Sequence, residues 1–401
     1  MNKENVYGSF GILPKEEMLE VRQDFQNLII GIPKEISFQE NRVSITPDAV
    51  SLLVHNGHKV IVERDAGAKS NFSDEEYIQS GADICLSNKE VYDADIIVKI
   101  EPPTEDELSL LQKGKKLISA IQLKTRNKKY FEGLLKKEVT AIAIEHIQDN
   151  TGKLVLLRSM SEIAGNTSLL IASEYLSNVN SGKGLMLGGV TGLSPTEVVI
   201  IGAGTVGEYA SKTALGLGAN VKVFDISLSR LRRLQQLTNR MVSTSIMDPK
   251  SLRKALRRSD VVIGALRSGD GRTPCVVTEG MVRDMKEGSV IIDVSIDHGG
   301  CFETSEVTDH ESPTFSKHGV VHYCVPNIPS RVARTSSFAI SNIITPILLN
   351  IGEEGGVKNL IKKDSGVRKG VYTFKNMMTN QTLSEMFDLK YKDLDLIISA
   401  I

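Results

Sequence analysis

One stretch, residues 198–225, constrains the fold more than any other part of the chain. It reads VVIIGAGTVGEYASKTALGLGANVKVFD, so an apolar run leads into Gly202, Gly204 and Gly207, and a second apolar run ends in Asp225. An apolar strand, a glycine turn, a helix and a second strand in this order are typical of a Rossmann unit. The stretch therefore predicts a parallel α/β sheet with a dinucleotide site at the glycine turn.

Each residue of the turn has a separate task in such a unit. Gly202 permits the tight turn, Gly204 lets a pyrophosphate approach the backbone, and Gly207 lets the helix pack closely on the strand. Thr205 and Val206 complete the turn at the helix N-terminus, where the partial positive charge of the helix faces the phosphates. We expect all five residues to bind the cofactor.

Asp225 stands at the end of the second strand, eighteen residues after the last glycine. A carboxylate there can accept both ribose hydroxyls of an adenosine, whereas it would repel a 2′-phosphate. Asp225 therefore favours NAD as the cofactor. Arg230 and Lys222 lie nearby in the sequence, and because they are basic, NADP stays an alternative cofactor.

The composition of the chain narrows the class of partner. Its 401 residues suffice for two domains, and 48 basic against 49 acidic residues give no electrostatic footprint for nucleic acid or an anionic membrane. The four cysteines are widely spaced and have no matching histidine cluster, which disfavours a metal site. We expect a small-molecule substrate and copies of the chain itself as partners.

The N-terminal segment and the length of the apolar runs indicate where in the cell the protein is expected. Residues 1–27 mix charges with few apolar residues, so they lack the core of a signal peptide and are interpreted as an extension. No continuous apolar run approaches the roughly 18–20 residues that span a bilayer. We expect a cytoplasmic protein without direct membrane insertion.

Apolar runs alternate with helical periods along most of the chain. This pattern predicts an α/β fold of two Rossmann-like domains. The glycine-rich segment 180–195 leads into a second domain with five predicted strands, and the last fifty residues lack a sheet of their own. We therefore predict a nucleotide domain at 156–333 inserted in a discontinuous substrate domain at 28–155 and 334–401.

Polar residues follow several strands of the second domain. Ligands of doubly wound sheets gather outside the carboxyl ends of the strands, which places Asp297, His298 and Asn327 near the reactive end of the cofactor. Asp297 can take part in proton transfer or orient a water molecule, or it can simply cap the next turn. His298 is expected to support the site or to lie on the surface rather than to take part in the reaction.

Several blocks together resemble the alanine dehydrogenase and transhydrogenase alpha-subunit family, over about residues 28–380. The blocks are IGIPKEISFQENRVSITPDAV (30–50), RSMSEIAG (158–165), LMLGGVTGLSPTEVVIIGAGTVG (185–207), VIIDVSIDHGGCFETS (290–305) and HYCVPNIPS (322–330). The resemblance implies reversible oxidative deamination of L-alanine to pyruvate and ammonium with NAD. It also implies the inserted-domain fold and a homo-oligomer, a hexamer or a dimer.

The resemblance also implies roles for single residues. Arg42 matches the arginine that binds the substrate carboxylate, a role that suits its two-pronged guanidinium. Without the family motif, Arg42 would be assigned to a surface ion pair with Glu40. Met160 and Ser161 match positions that line the nicotinamide and phosphate side of the cleft. The family places its ribose-binding acid at Asp225, and its active-site positions include Asp297 and Asn327.

Two positions depart from the family pattern. The family's substrate-binding lysine lies at the end of the strand that reads VKIEPP here, where gap-free register gives Glu101. Its catalytic histidine lies in the next strand, where register gives Gln122. Lys99, two residues before Glu101, is a candidate for residual substrate contact, because alternate residues of a strand point the same way. Lys124 stands in the same relation to Gln122.

Several functions stay open on these residues. Glu101 could neutralise Arg42 or select a substrate with a cationic side chain. The leading hypothesis is an NAD-dependent amino-acid dehydrogenase of the alanine dehydrogenase type. The alternatives are a soluble transhydrogenase alpha-like component, a saccharopine dehydrogenase-like enzyme, and a non-catalytic NAD-binding regulator.

Overall fold

A computed structural model describes residues 25–122, 126–267 and 272–399 of the chain. The strands are β1 (Ile29–Ile32), β2 (Lys59–Glu63), β3 (Asp83–Cys85), β4 (Ile96–Val98), β5 (Lys116–Ser119), β6 (Thr140–Ala143), β7 (Glu197–Ile201), β8 (Asn220–Asp225), β9 (Ser243–Ile246), β10 (Val261–Gly264), β11 (Val290–Asp293), β12 (Thr314–Lys317), β13 (Val320–Tyr323), β14 (Val371–Phe374) and β15 (Met377–Met378). The helices are α1 (Pro47–His55), α2 (Asp74–Gln79), α3 (Asn88–Tyr92), α4 (Glu105–Leu110), α5 (Lys128–Lys136), α6 (Val155–Leu176), α7 (Thr205–Gly216), α8 (Leu228–Leu237), α9 (Pro249–Leu256), α10 (Glu279–Arg283), α11 (Ala333–Glu353), α12 (Val357–Lys363), α13 (Ser365–Gly370), α14 (Gln381–Phe387) and α15 (Leu394–Ser399).

The first sheet has eight strands in the order β15-β14-β6-β5-β4-β1-β2-β3. Strands β1 to β6 run parallel, and β14 and β15 add antiparallel pairings at one edge. Its parallel strands are short and mostly apolar, as expected for a sheet covered by helices on both faces. The chain thus returns to this sheet near its end.

The second sheet has seven strands in the order β12-β13-β11-β10-β7-β8-β9. All neighbours pair parallel except β12, which is antiparallel to β13. The order turns back at β7 and β10, which is the switch point where doubly wound sheets bind ligands. The predicted class of two Rossmann-like α/β domains is confirmed, while the predicted boundaries at 155/156 and 333/334 stay a prediction.

Two long helices join the sheets and shape the cleft. Helix α6 packs closely on α7, and a β-carbon at Gly165 would lie 2.5 Å from the Val206 carbonyl oxygen. Helix α11 belongs to a segment, Ile328–Glu353, that is long and apolar enough to cross a membrane. Half of the most apolar part of this segment is buried inside the protein. Buried core helices share this composition, so the segment is explained by packing.

Two sequence expectations about strands need correction. The second sheet has seven strands where five were predicted, since β9 and β12 are short and largely polar. The strand that was predicted to run through VKIEPP (98–103) ends at Val98, since β4 spans only Ile96–Val98. Lys99 and Glu101 therefore lie beyond the strand, and the alternation of strand side chains does not fix their directions.

Candidate active site

The glycine turn between β7 and α7 has the geometry of a dinucleotide cradle. Gly202 has a φ of 115°, and a β-carbon there would lie 2.4 Å from the Ala265 carbonyl oxygen. A β-carbon at Gly207 would lie 1.9 Å from the Gly202 oxygen, whereas one at Gly204 would meet no atom within 4 Å. The backbone of the turn thus requires two of the glycines, and the third faces open space that a pyrophosphate fits.

Thr205 and Val206 are the first two residues of α7, so their backbone N–H groups lie in the unpaired first turn of that helix. Asp225 is buried at the end of β8. Its Oδ2 accepts the Ala203 N–H at 2.7 Å, which ties β8 to the glycine turn, and its Oδ1 accepts the Ser227 N–H at 2.7 Å. Each carboxylate oxygen retains acceptor capacity for a ribose hydroxyl.

The side chains of Arg230 and Lys222, which left NADP open, take different positions. Arg230 Nη1 lies 4.0 Å from Asp225 Oδ2 and is exposed. Lys222 Nζ lies 5.2 Å from the centroid of the Phe224 ring. Only Arg230 is thus near the predicted ribose acceptor.

Helix α6 brings Met160 and Ser161 to the cleft. Ser161 Oγ donates to the Leu157 carbonyl oxygen of its own helix at 2.6 Å, and its side chain is partly exposed. The Met160 sulfur accepts from Arg42 Nη1 at 3.5 Å. Met160 therefore lies beside the predicted substrate arginine, while Ser161 is the next residue along the same helix.

Asp297 and Asn327 come together at the carboxyl edge of the second sheet. Asp297 lies in a short 3-10 helix after β11, and Asn327 follows β13 in the left-handed conformation with a φ of 54°. The Asn327 N–H donates to Asp297 Oδ1 at 3.0 Å, and its Nδ2 donates to Glu40 Oε2 at 3.1 Å. Asn327 thereby links the second sheet to the loop that carries Arg42.

Arg42 forms a buried two-pronged ion pair with Glu40. Its Nε donates to Glu40 Oε1 at 2.7 Å, its Nη2 donates to Glu40 Oε2, and its backbone N–H donates to Oε1 at 2.9 Å. Burial opposes the charge of Glu40, but the Arg42 guanidinium outweighs it and holds the pKa of that carboxyl below its usual range. The alternative from sequence was a surface ion pair between Arg42 and Glu40. The ion pair is present, but it is buried rather than at the surface.

Serine hydroxyls hold the loop around Arg42 in place. The Asn41 N–H donates to Ser330 Oγ at 2.9 Å, and Ser330 Oγ donates to the Gln39 carbonyl oxygen at 2.6 Å. The Val43 N–H donates to Ser337 Oγ on α11 at 2.9 Å. These side chains satisfy backbone groups that no strand or helix pairs, so the arginine is presented on a rigid support.

Glu101 lies beside this pair, beyond the end of β4. Burial, with repulsion from Glu40 added, raises the pKa of Glu101 to about 7, against the attraction of Arg42 and Arg126. The site thus contains two adjacent carboxyl groups that do not both ionise freely at neutral pH.

Lys99 has different partners from Glu101. Its Nζ lies 2.5 Å from Glu107 Oε1 and 3.7 Å from Glu35 Oε2, and its side chain is 1% exposed. Burial raises the pKa of Glu35 to about 8 in spite of Lys99, whereas at Glu107 the charge of Lys99 outweighs burial and lowers the pKa. The ammonium of Lys99 is therefore engaged inside the first domain.

Gln122 has a left-handed backbone with a φ of 48° and an exposed side chain. It immediately precedes residues 123–125, so Lys124 lies outside the described residues. In the described ranges no group of three histidine, cysteine, aspartate or glutamate side chains could hold a metal ion.

Sequence reasoning missed two carboxyl groups of this region. Glu107 accepts the Thr104 N–H in a capping box at the start of α4, and the spacing T-x-x-E was a readable signal for that contact. Glu35 accepts the Ile100 N–H at 2.6 Å, a long-range contact with no signal in the sequence.

Comparisons with known proteins agree with this architecture. Residues 31–164 match the family described as "Alanine dehydrogenase/PNT, N-terminal domain", and residues 168–381 match "Alanine dehydrogenase/PNT, C-terminal domain". The chain is 40% identical over 367 residues to "Alanine dehydrogenase 2" of Staphylococcus aureus strain USA300, covering 91% of this chain and 98% of that protein.

Solved structures give the same picture. A structure named "L-alanine dehydrogenase" superposes with a TM-score of 0.84 at 36% identity, covering 90% of this chain and 99% of that one. A transhydrogenase from Sinorhizobium meliloti superposes with a TM-score of 0.75 at 22% identity, over 88% and 99% of the two chains. At that identity the second comparison shows a shared fold alone.

The glycine turn yields a paired prediction. We expect Gly204→Ala to leave the free energy of unfolding within about 0.5 kcal/mol of wild type and to weaken NADH binding about tenfold, because its methyl group enters only the space for the pyrophosphate. Gly207→Ala instead meets the Gly202 oxygen and should cost about 1–3 kcal/mol of stability. Denaturant unfolding and NADH fluorescence titration measure both; unchanged NADH affinity in Gly204→Ala would contradict the cradle.

The buried Lys99 network yields a second prediction. We expect Lys99→Met to lower the free energy of unfolding at pH 7 by about 3–5 kcal/mol, because Glu107 is left buried without its cation. The double variant Lys99→Met with Glu107→Gln should regain much of that loss. If Lys99→Met unfolds like wild type but no longer binds an amino acid, Lys99 is a substrate contact instead.

Proposed function

The chain belongs to the alanine dehydrogenase and PNT family, as its sequence blocks predicted, and on that premise we propose that it is an NAD-dependent amino-acid dehydrogenase. The proposed reaction converts L-alanine, NAD and water to pyruvate, ammonium, NADH and a proton. One observation carries the proposal. Asn327, at the carboxyl edge of the nucleotide sheet, donates to the Glu40 carboxylate that holds Arg42, so the substrate arginine and the cofactor edge meet in one hydrogen-bonded junction.

Arg42 is proposed to bind the substrate carboxylate through its outer edge. Glu40 occupies the Nε and Nη2 side of the guanidinium, whereas among the residues that the structure describes Nη1 donates to the Met160 sulfur alone, a weak acceptor. A carboxylate at that edge would replace the weak contact by charge-assisted hydrogen bonds. A cavity of about 360 Å³, lined in part by Phe38, Val307 and Asn327, adjoins the junction and supports access from solvent.

Asp297 is proposed to orient the water that enters the reaction or to move a proton. Its carboxylate is exposed at the cofactor edge, and Oδ1 accepts the Asn327 N–H. NAD, when bound, supplies the hydride acceptor. Gly204, Thr205 and Val206 are proposed to hold its pyrophosphate by backbone N–H groups, and Asp225 to accept its ribose hydroxyls.

The Glu101 and Gln122 positions set this chain apart from the pattern that the family resemblance implies. Glutamine does not shuttle protons near neutral pH, so the proton chemistry of a lysine and histidine pair needs another group here. A transhydrogenase alpha-like component and a non-catalytic NAD-binding regulator, which need no such pair, are therefore the alternative outcomes of the test below. We also propose a cytoplasmic homo-oligomer, a hexamer or a dimer, acting on a small amino acid and its 2-oxo acid.

NADH absorbance with a panel of amino acids tests the function. We expect wild-type protein with NAD to form NADH from L-alanine, and Arg42→Lys to raise KM for it by about tenfold or more, because lysine cannot make the bidentate contact. Arg334→Lys, the same substitution at an exposed arginine of α11, should behave like wild type.

Silence of wild-type protein across L-alanine, L-serine, glycine and L-lysine would contradict the dehydrogenase. Tight NADH binding without turnover would then indicate a regulator. Hydride transfer from NADH to an NADP analogue with an added membrane partner would indicate a transhydrogenase component.

A further inference from the structure

Asp293 is a buried carboxyl group at the end of β11 to which the proposed function assigns no role. Its exposed fraction is 0%, and both of its oxygens accept hydrogen bonds from the backbone. Oδ1 accepts the Ser295 N–H at 3.0 Å, and Oδ2 accepts the Cys301 N–H at 3.1 Å. One side chain thus holds both ends of the segment 295–301, and Asp297 lies within that segment.

We infer that Asp293 is a positioning residue, whose carboxylate fixes the segment 295–301 and thereby sets the place of Asp297 at the carboxyl edge of the second sheet. This inference rests on the proposed function, in which Asp297 orients a water molecule or moves a proton. Asp293 is buried and acts through Asp297 rather than on the substrate.

Two side chains complete the set of donors around Asp293. Ser305 Oγ donates to Oδ2 at 2.6 Å, and Cys301 Sγ donates to Oδ1 at 3.7 Å. Each oxygen therefore accepts two hydrogen bonds, which fills the roughly four acceptor sites of an ionised carboxylate. Burial raises the pKa of the Asp293 carboxyl above its usual range, while the hydrogen bonds from Ser305, Cys301 and Ser295 oppose that rise. The arrangement of donors fits the ionised form.

Two glycines leave room for this carboxylate. A β-carbon at Gly264, the last residue of β10, would lie 2.8 Å from Asp293 Oδ1, and one at Gly300 would lie 2.7 Å from Oδ2. A side chain at either position would displace the carboxylate from its donors. The neighbouring strand and the segment itself thus enclose Asp293 closely, and its carboxylate is a rigid anchor.

A second contact holds the side chain of Asp297. Its Oδ1 accepts the Asn327 N–H at 3.0 Å, and Asn327 follows β13, which pairs with β11. Asp293 thus anchors the backbone of the segment, while Asn327 holds the carboxylate that the segment carries. A group that moves a proton or orients a water molecule needs placement within about 0.5 Å, so loss of the anchor bears on the rate of the reaction.

Asp293→Asn tests the inference in the full chain. Asparagine has nearly the same shape but one acceptor oxygen, so its NH2 group faces either the Ser295 N–H or the Cys301 N–H. We expect kcat for L-alanine to fall about tenfold or more, while the Kd for NADH changes less than about threefold. In an Asp297→Asn background the same substitution should change kcat less than about threefold, because the group that Asp293 positions is already lost.

Asp260→Asn is the matched control at the opposite edge of the same sheet. Asp260 is buried just before β10, where Oδ2 accepts the Glu197 N–H at 2.9 Å and Oδ1 lies 3.0 Å from the Nζ atoms of Lys183 and Lys286. We expect Asp260→Asn to lower the thermal midpoint of unfolding and to keep kcat within about twofold of wild type, because the site is distant from its contacts.

Ser305→Ala is a milder variant for the case that Asp293→Asn does not fold. It removes one hydroxyl donor and keeps both backbone contacts of Asp293. We expect kcat to fall about threefold or more, again only while Asp297 is present. A wild-type kcat in Ser305→Ala would then overturn the inference.

Hydrogen exchange of the Asn327 amide gives a readout that needs no turnover. Because Asp297 accepts this N–H, displacement of the segment should speed its exchange about threefold or more in Asp293→Asn and not in Asp260→Asn. Mass spectrometry of the peptide that contains Asn327 measures the rate.

The outcomes separate the inference from the function beneath it. A wild-type kcat in Asp293→Asn, or an equal loss of kcat with and without Asp297→Asn, would overturn the positioning role and leave the dehydrogenase intact. A wild-type protein that turns over no amino acid would contradict the proposed function. In that case faster exchange at Asn327 in Asp293→Asn would still support the anchor, and unchanged exchange would overturn it as well.

Discussion

The buried ion pair between Arg42 and Glu40 is the interaction on which the rest of the site depends. It fixes the guanidinium by three hydrogen bonds to one carboxylate, and Asn327 adds a fourth from the edge of the nucleotide sheet. Breaking a buried pair by removing one partner costs about 3–5 kcal/mol, so the junction is held strongly. These contacts hold Arg42 against the carboxyl edge of the second sheet.

Two groups of charged residues lie near the end of β4, and their partners differ. Lys99 with Glu107 and Glu35 is sealed inside the first domain, where it ties the start of α4 to the strand. Arg42 with Glu40 and Glu101 faces the junction of the two sheets. Lys99 and Glu101 are two residues apart in the sequence, yet the charges that act on them belong to different residues.

The parts of this structure that follow local rules were predictable from sequence. The unit β7–α7–β8 was readable because an apolar run, three glycines and an acid follow in fixed order. Strands β9 and β12 were missed because they are largely polar, whereas predicted strands of the same length, such as β10 and β11, are apolar. Strands β3, β14 and β15 were also missed. The burial of Lys99 escaped prediction because it depends on Glu35, distant in sequence, and on a strand that ends at Val98.

The central claim is that the Asn327 contact with Glu40 sets Arg42 beside the edge of the second sheet, where the substrate is proposed to bind. Asn327→Ala removes this side-chain contact and leaves the Arg42–Glu40 pair in place. The most direct measurement is the KM for L-alanine of this variant beside its Kd for NADH. The account predicts that the KM rises about tenfold or more while the Kd for NADH changes less than about threefold. An unchanged KM would contradict it.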